Sequence, residues 1–308
     1  MELTEPLYID GNDGLIEKAQ KFGWKGTGTK ENPIVISNVY FNLVDRPGEN
    51  CIALYDTDLY LIISGCKFEN KCSYELENYG NGISMSGVKN VTITNNKFYG
   101  IYADNMFIYG MCEDIMIYNN LFKNRLGRKL SSENISIRGC KRVYIINNTF
   151  DGGNDGINLI SALDSQVIYN TIKNTRYGID VDGSHRNVIL GNTIKWTKRL
   201  PSSKVLGTGI FIHNSTLNTI IKNFINGVNN LCILIAGTDS KFNYVYDNIF
   251  LSNRQHYIFY SMMAPHGEIW SKDNILMKNI IGLNIGLYEI KYRNPRTELN
   301  ITRRNLFI

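Results

Sequence analysis

Val91-Thr-Ile-Thr-Asn-Asn96-Lys-Phe98 decides the fold, because the phrase keeps returning. It comes back as Ile115 to Phe122, Val143 to Phe150, Val167 to Ile172, Ile189 to Ile194, Ile220 to Ile225 and Val245 to Phe250. Each copy has alternating apolar residues, an asparagine, any residue, then Phe or Ile. The repeating asparagines are Asn96, Asn120, Asn148, Asn170, Asn192, Asn223 and Asn248, with Asn274 as the eighth. Their spacings are 24, 28, 22, 22, 31, 25 and 26 residues. A period in the twenties built from short strands means a solenoid.

Each unit holds a second phrase, a small residue followed by alternating apolar positions. Gly82-Ile-Ser-Met, Asn134-Ile-Ser-Ile, Gly156-Ile-Asn-Leu, Gly178-Ile-Asp-Val and Gly209-Ile-Phe-Ile are examples. Period-2 alternation over so few residues marks a half-buried strand. No helical pattern separates the strands, so the chain cannot make βαβ crossovers. It must wind into coils of three short strands, each pairing in parallel with its counterpart one coil on. The expectation is an all-β, right-handed parallel β-helix of about ten coils, a rod about 50 Å long at ~4.8 Å per coil. The asparagine falls at the corner between the second and third strands. Stacked amides there satisfy one another and the turn backbone.

These repeats resemble the right-handed parallel β-helix proteins of the pectin-lyase-like superfamily, over about residues 32–285. The resemblance implies the fold, and a range of roles from pectate lyases, polygalacturonases and epimerases to tailspikes, adhesins and periplasmic proteins linked to copper enzymes. Fold alone does not choose among them.

The expected organisation is an N-terminal cap over 1–31, the β-helix over 32–285, and a non-repeat C-terminal cap or arm over 286–308. Solenoid ends expose strand edges and need covering. Asp13 to Gly23 reads as a capping helix, with Leu15, Ile16, Ala19 and Phe22 on one face and Asp13 as N-cap. Gly26 to Thr29 and Pro33 read as the turn into the first coil. The six cysteines have no metal-ligand spacing and read as unpaired buried thiols, Cys66 and Cys72 being the pair to check for a disulfide. Neither a metal nor a cofactor is expected. No apolar run is long enough to span a membrane. Met1 to Pro6 has neither the basic start nor the apolar stretch of a signal peptide. An extracellular or virion-surface location is expected if the chain is a mature form or viral.

The register gives two outer faces. On the second strand the outward residues include Met116, Tyr118, Tyr144, Ile146, Leu190 and Tyr246. That face is largely apolar, where a sheet facing water carries polar residues. Self-association through it is expected, with a covering C-terminal arm as the alternative. On the first strand they include Ser84, Ser86, Tyr109, Ser136, Arg138, Asn158, Ile160, Asp180, Asp182, Phe211 and His213. Polar groups beside aromatic rings suit a sugar, which offers hydroxyls and C–H faces. Insertions at 69–81, 123–133 and 196–207 all follow the third strand and wall this face. Arg125 and Arg128 in the 123–142 stretch, with Lys195, Lys198, Arg199 and Lys204 further on, make a basic edge on a chain of net charge +5. A basic edge attracts a polyanion. An acidic polysaccharide is the expected partner, held by Arg125, Arg128, Arg138, Asn158, His185 and Phe211. No nucleic-acid-binding motif is present.

Asp180, Asp182 and His213 form the candidate catalytic group. The two aspartates are two apart on one strand, roughly 6.5–7 Å between Cα atoms, and His213 follows Asp182 one coil on. Paired carboxylates can act as acid and base on a glycosidic bond. Polygalacturonases are similar in placing aspartates and a histidine here. This chain departs from them in having Gly153-Asn-Asp155-Gly156 where a tandem Asp-Asp would stand, and it lacks their Gly-His-Gly and Arg-Ile-Lys motifs. The calcium-binding carboxylates and catalytic arginine of pectate lyases have no residue-by-residue match. The first expectation is therefore an oligomeric, non-catalytic surface or virion-type protein binding an acidic glycan. The alternatives are a polysaccharide hydrolase or lyase, and a purely structural rod.

Overall fold

The structure, a computed structural model, describes residues 1–43, 46, 48–70, 80–101, 103–124, 132–197, 207–228, 231–237, 239–252, 257–262, 274–283, 301–303 and 306–307. The chain winds into a right-handed parallel β-helix with three parallel sheets. The first-strand sheet has 10 strands, from Leu7–Asp10 to Tyr257–Met262. The second has 11, from Ile34–Ser37 to Ile301–Arg303, and the third has 12, from Glu2–Leu3 to Leu306–Phe307.

The inward positions make the core. Third-strand Phe41, Phe68, Phe98, Phe122 and Phe150 stack face to face, with successive ring centroids 4.5 to 4.8 Å apart. That spacing is the strand separation itself, so identical rings in register fill the interior without voids. Ile172, Ile194, Ile225 and Phe250 continue the column, all buried. The column also explains the small residue that opens the first strand. A Cβ at Gly178 would lie 2.7 Å from Ile194 Cγ2 and 2.5 Å from the Gly209 carbonyl oxygen.

The asparagine ladder runs through the corner between second and third strands. Asn148 shows the unit. Its Oδ1 accepts from Asn120 N–H and Nδ2, at 2.9 and 3.0 Å. Its own Nδ2 donates to the Ile117 carbonyl, and its N–H to Asn170 Oδ1, both at 2.9 Å. The same set repeats from Asn96 to Asn248, all buried. Cys66 heads the column, its N–H donating to Asn96 Oδ1 at 2.8 Å. The residue before each ladder position is left-handed, Asn95, Asn119 and Asn147 with φ 52 to 57° and Gly191 with φ 63°. Asparagine tolerates that conformation better than most side chains.

The last rung differs from the sequence reading. Asn248 donates to Asn279, not to Asn274. Asn274 belongs to a second ladder, Asn187, Asn218, Asn243 and Asn274, at the corner between first and second strands. Ser184, Ser215 and Ser240 line the same corner, each hydroxyl accepting a backbone N–H from the coil before.

The N-terminal helix spans Gly11–Phe22, between the opening first strand and Ile34–Ser37. Its N-cap is Asp10, so Asp13 sits in the first turn instead. Leu15 and Ala19 are buried against the core, Phe22 stacks on Trp24, and Ile16 is exposed. A helix face that covers one coil end is narrower than the four-residue stripe expected. Gly23, left-handed at φ 67°, closes the helix. Within 286–308, the described residues are two short strands, which pair with Ile275–Met277 and Ile280–Leu283 and extend two sheets. The rest of that segment lies outside the described residues. Cys51, Cys66, Cys112, Cys140 and Cys232 are free and buried, and Cys72, the partner considered for Cys66, lies outside the described residues. No helix among the described residues is long and apolar enough to cross a membrane.

Replacing Asn148 with Leu removes one acceptor and one donor from a sealed corner. The Asn120 amide and the Ile117 carbonyl then lose partners, at about 1–3 kcal/mol for each group left unsatisfied. Urea unfolding should show a midpoint lowered by that order, with Asn119→Gly on the solvent side of the same corner much milder.

Candidate functional site

The first-strand outer face is built by register alone. One row runs Ser84, Phe107, Ser136, Asn158, Asp180, Phe211 and Leu234. The other runs Ser86, Tyr109, Arg138 (paired one coil on with Ile160), Asp182, His213 and Ala236. Asn158, Asp180, Phe211, Arg138, Asp182 and His213 thus share one face. His213 Nδ1 lies 3.2 Å from Asp182 Oδ1. The Arg138 guanidinium sits over the Phe107 ring at 5.1 Å, its Nε donating to Ser136 Oγ. Tyr177, Phe211 and His213 form a run of neighbouring rings, 5.6 and 5.8 Å apart between centroids. Arg176 lies over the Tyr177 ring at the end of this run, 4.3 Å from its centroid.

The structure separates His185 from this group. It sits at the corner between first and second strands, bridged to Leu163 and Thr216, with Nδ1 held by the Thr216 amide and hydroxyl at 3.1 and 2.9 Å. Arg125 and Arg128 lie outside the described residues, as do 198–206. The insertions begin where the sequence put them, directly after the third strands that end at Glu69, Lys123 and Lys195.

Sequence reasoning named Asn158 and Asp180 but missed the buried polar cluster they join at the head of this face. Glu133 Oε2, Asn154 Oδ1, Asp155 Oδ1, Asn158 Oδ1 and Asp180 Oδ1 are buried acceptors with no hydrogen-bond partner. Glu133, Asn154, Asp155 and Asn158 are each 3 to 7 % exposed. Asn158 Nδ2 donates to Glu133 Oε1 at 3.1 Å, and the Glu133 amide to Asp104 Oδ1 at 2.8 Å. Arg176 brings a cation to the cluster, yet its Nε also lacks a partner. Most buried polar atoms in proteins are paired, so a group of orphans in three successive coils is a place where water, a proton held by a carboxyl or a ligand supplies the donors. Glu133, Asp104 and Arg176 stand in or beside the corner that carries the insertions, where the strand period gives no phase. The readable signal was Asp155, one residue before the small residue that opens a first strand.

Electrostatics follow from that crowding. Burial pushes the Asp180 carboxyl up to about 7, helped by Asp182 and Glu133 and opposed by Arg176. Burial, with Glu133 beside it, likewise raises Asp104 to about 7. Asp155 is raised well above the ordinary carboxylate range, by burial first and then by Asp180 and Glu133. A carboxyl that holds its proton near neutrality can donate to a ligand oxygen or act as a general acid.

The three-sheet coil and its outward polar face define the class, a pectin-lyase-like β-helix. Within it, the chain belongs to the family described as periplasmic copper-binding protein (NosD), whose model matches residues 61–285. Solved structures share the fold at low identity. The periplasmic alginate epimerase AlgG matches at 12% identity and TM-score 0.57, over 100% of this chain and 84% of its own. An exopolygalacturonase from Thermotoga maritima matches at 11% and 0.59, over 91% and 88%. PfbA, a surface adhesin of Streptococcus pneumoniae, matches at 13% and 0.57, over 98% and 90%. No protein of curated function matches by sequence. The family's description raises copper, and the described donors do not fit it. Among the described residues no three His, Cys, Asp or Glu side chains converge to hold an ion. The described thiols face the sealed interior, and His185 and His213 each spend Nδ1 on a neighbour in a different part of the coil.

The raised carboxyls predict a pH dependence. Asp104 and Asp180 ionise near 7 when folded, against an ordinary value of 3.8. The folded chain then binds more protons than the unfolded one between about pH 4 and 7, so stability contributed by these groups falls as pH rises through that window. Tm measured from pH 4 to 8 should fall less steeply in Asp180→Asn than in the wild type.

Proposed function

We propose that the chain is a glycan-binding β-helix whose ligand lies along the outer face of the first-strand sheet. The observation that carries this is the set of orphan acceptors in three successive coils, bordered by the rings of Phe107, Tyr177 and Phe211. Sugar hydroxyls supply donors to such acceptors, and sugar C–H faces pack on rings. The carbohydrate-acting and adhesin proteins that share this fold support the reading by analogy only. The acidic character of the glycan is supported by the third-strand edge. There Lys123, Lys173 and Lys195 occupy outward positions of neighbouring coils, Lys173 paired with Asp151 at 3.2 Å. Arg125 and Arg128, outside the described residues, enter the proposal from the sequence alone. A surface or virion-type role is the setting in which a rod would present this face.

A panel of acidic and neutral oligosaccharides tested by calorimetry is the direct test. Arg138→Ala and Phe211→Ala should each weaken binding about tenfold, the effect of one truncated anchor side chain. Added salt should weaken binding of an acidic ligand. Retained affinity in both variants would move the site elsewhere, and no binding across the panel would leave a structural rod.

One observation favours a second reading, hydrolysis or elimination. Asp180 is held near 7 beside Asp182, the state a general acid needs at neutral pH. Product release by the wild type that is lost in both Asp180→Asn and Asp182→Asn would establish it.

Self-association belongs to the same proposal. The outward second-strand rows run from Thr92 and Thr94 through Met116 and Tyr118, Tyr144 and Ile146, Gln166 and Ile168, Val188 and Leu190, Thr219 and Ile221 to Tyr244 and Tyr246. None of these positions carries a charge. The strip is about 30 Å long at ~4.8 Å per coil, a straight ridge with a fixed repeat. A second copy of this chain offers the same ridge at the same repeat, which makes the contact self-complementary. The double variant Tyr118→Lys, Ile146→Lys should lower the mass seen by light scattering while the β-sheet circular dichroism persists. A wild type that is monomeric at high concentration would remove this contact.

A further inference from the structure

We propose that the buried cluster of Glu133, Asp155, Asn158 and Asp180 is a subsite for a free amino group on the glycan, such as that of a 2-amino-2-deoxy sugar. This rests on the glycan reading and names the unit bound at one place along it. Charge carries the argument. Among the described residues, Asp104, Glu133, Asp155 and Asp180 gather at the head of the face, with Asp182 on its rim. Two described cations stand near them. Arg176 lies over the Tyr177 ring, and Arg138 over the Phe107 ring with its Nε committed to Ser136. Neither makes a hydrogen bond to Glu133, Asp155 or Asp180. The missing groups are therefore donors, and positively charged ones.

The geometry separates this guest from two others. A metal ion needs several oxygens converging on a point, and among the described residues no such group exists. The orphan acceptors are instead spread over three coils, roughly 10 Å along the rod. A pyranose ring with an ammonium and several hydroxyls spans that distance and offers a donor to each coil. A uronate carboxylate at the same place would add a further negative charge beside Asp155, Asp180 and Glu133, which already press on one another. In the proposed ligand the acidic units therefore face the lysine edge, and an amino-bearing unit enters past the half-buried Asp180. The ammonium is held between Asp180 and Asp155 of adjacent coils, with Glu133 adding negative charge beside them and Asn158 Oδ1 taking a hydroxyl.

Calorimetry at one pH with three ligands tests this on the full chain. The probes are glucosamine oligomers, their N-acetylated counterparts and oligogalacturonate of equal length. The expected result is binding of the amino oligomer at least tenfold tighter than the acetylated one. Asp180→Asn should erase that preference, weakening the amino oligomer more than the acetylated one. Glu133→Gln should do the same, which guards against a fold defect in either variant alone, and circular dichroism reports on both. Equal binding of amino and acetylated oligomers, or binding of oligogalacturonate alone, overturns the amino subsite and leaves the glycan reading standing. Binding of none of the three overturns this subsite together with the glycan reading for these sugar classes. An amino preference that survives in both variants places the amine elsewhere on the rod.

Discussion

The side-chain amide that bonds to its copy one coil away is the interaction on which everything else depends. A β-helix must turn three times per coil without exposing unpaired backbone at its corners. Asn148 solves one corner completely, donating and accepting on both sides of the coil plane. The arrangement is self-propagating, since each amide leaves a rung for the next. It also fixes register, because a slip of one residue would put a Thr or Lys into a sealed corner. The phenylalanine column next to it is a consequence. Once register is fixed, like residues stack at the strand spacing, which suits flat rings.

Stacking like on like suits amides and rings, and it penalises carboxyls. Charges of one sign in neighbouring coils repel, and burial adds a desolvation cost. Elsewhere on the rod acids are arranged to avoid this. Asp164 pairs with Arg186 of the next coil, and Asp114 with Arg142. At the head of the first-strand face the rule is broken: Asp155 and Asp180 press on each other and on Glu133. A sequence that is locally consistent nearly everywhere and inconsistent at one place points to function at that place.

Much of this was legible in the sequence, for a physical reason. Period-2 alternation fixes which side of a strand a residue occupies, and the coil period fixes its neighbours. The positions of Asp180, Asp182 and His213 on one face, and of Tyr118 and Ile146 on another, follow from counting. The final rung did not follow, because two ladders five residues apart share the same spacing, and Asn274 and Asn279 both fit a count. Asp13 was misplaced as a cap because a cap is set by where the preceding strand ends, and that strand, Leu7–Asp10, is only four residues long. Glu133, Asp104 and Arg176 were illegible as site residues for a third reason. They stand at the corner that carries the insertions, where neither period applies and only burial and contacts reveal the cluster.

The same division of labour constrains chemistry. The interior is taken up by amide ladders, rings and aliphatic side chains, and the described cysteines are part of that packing. Burial raises the Cys232 thiol to about 12, so it stays protonated and inert. Soft metal chemistry inside the coil would require thiolates there, and the core gives them no compensating charge. On the outside, the ladders hold side chains at fixed intervals of one strand spacing. In the proposed function, a ligand with its own short repeat lies aligned along the rod. There the orphan acceptors around Asp180 are where that ligand places its donors.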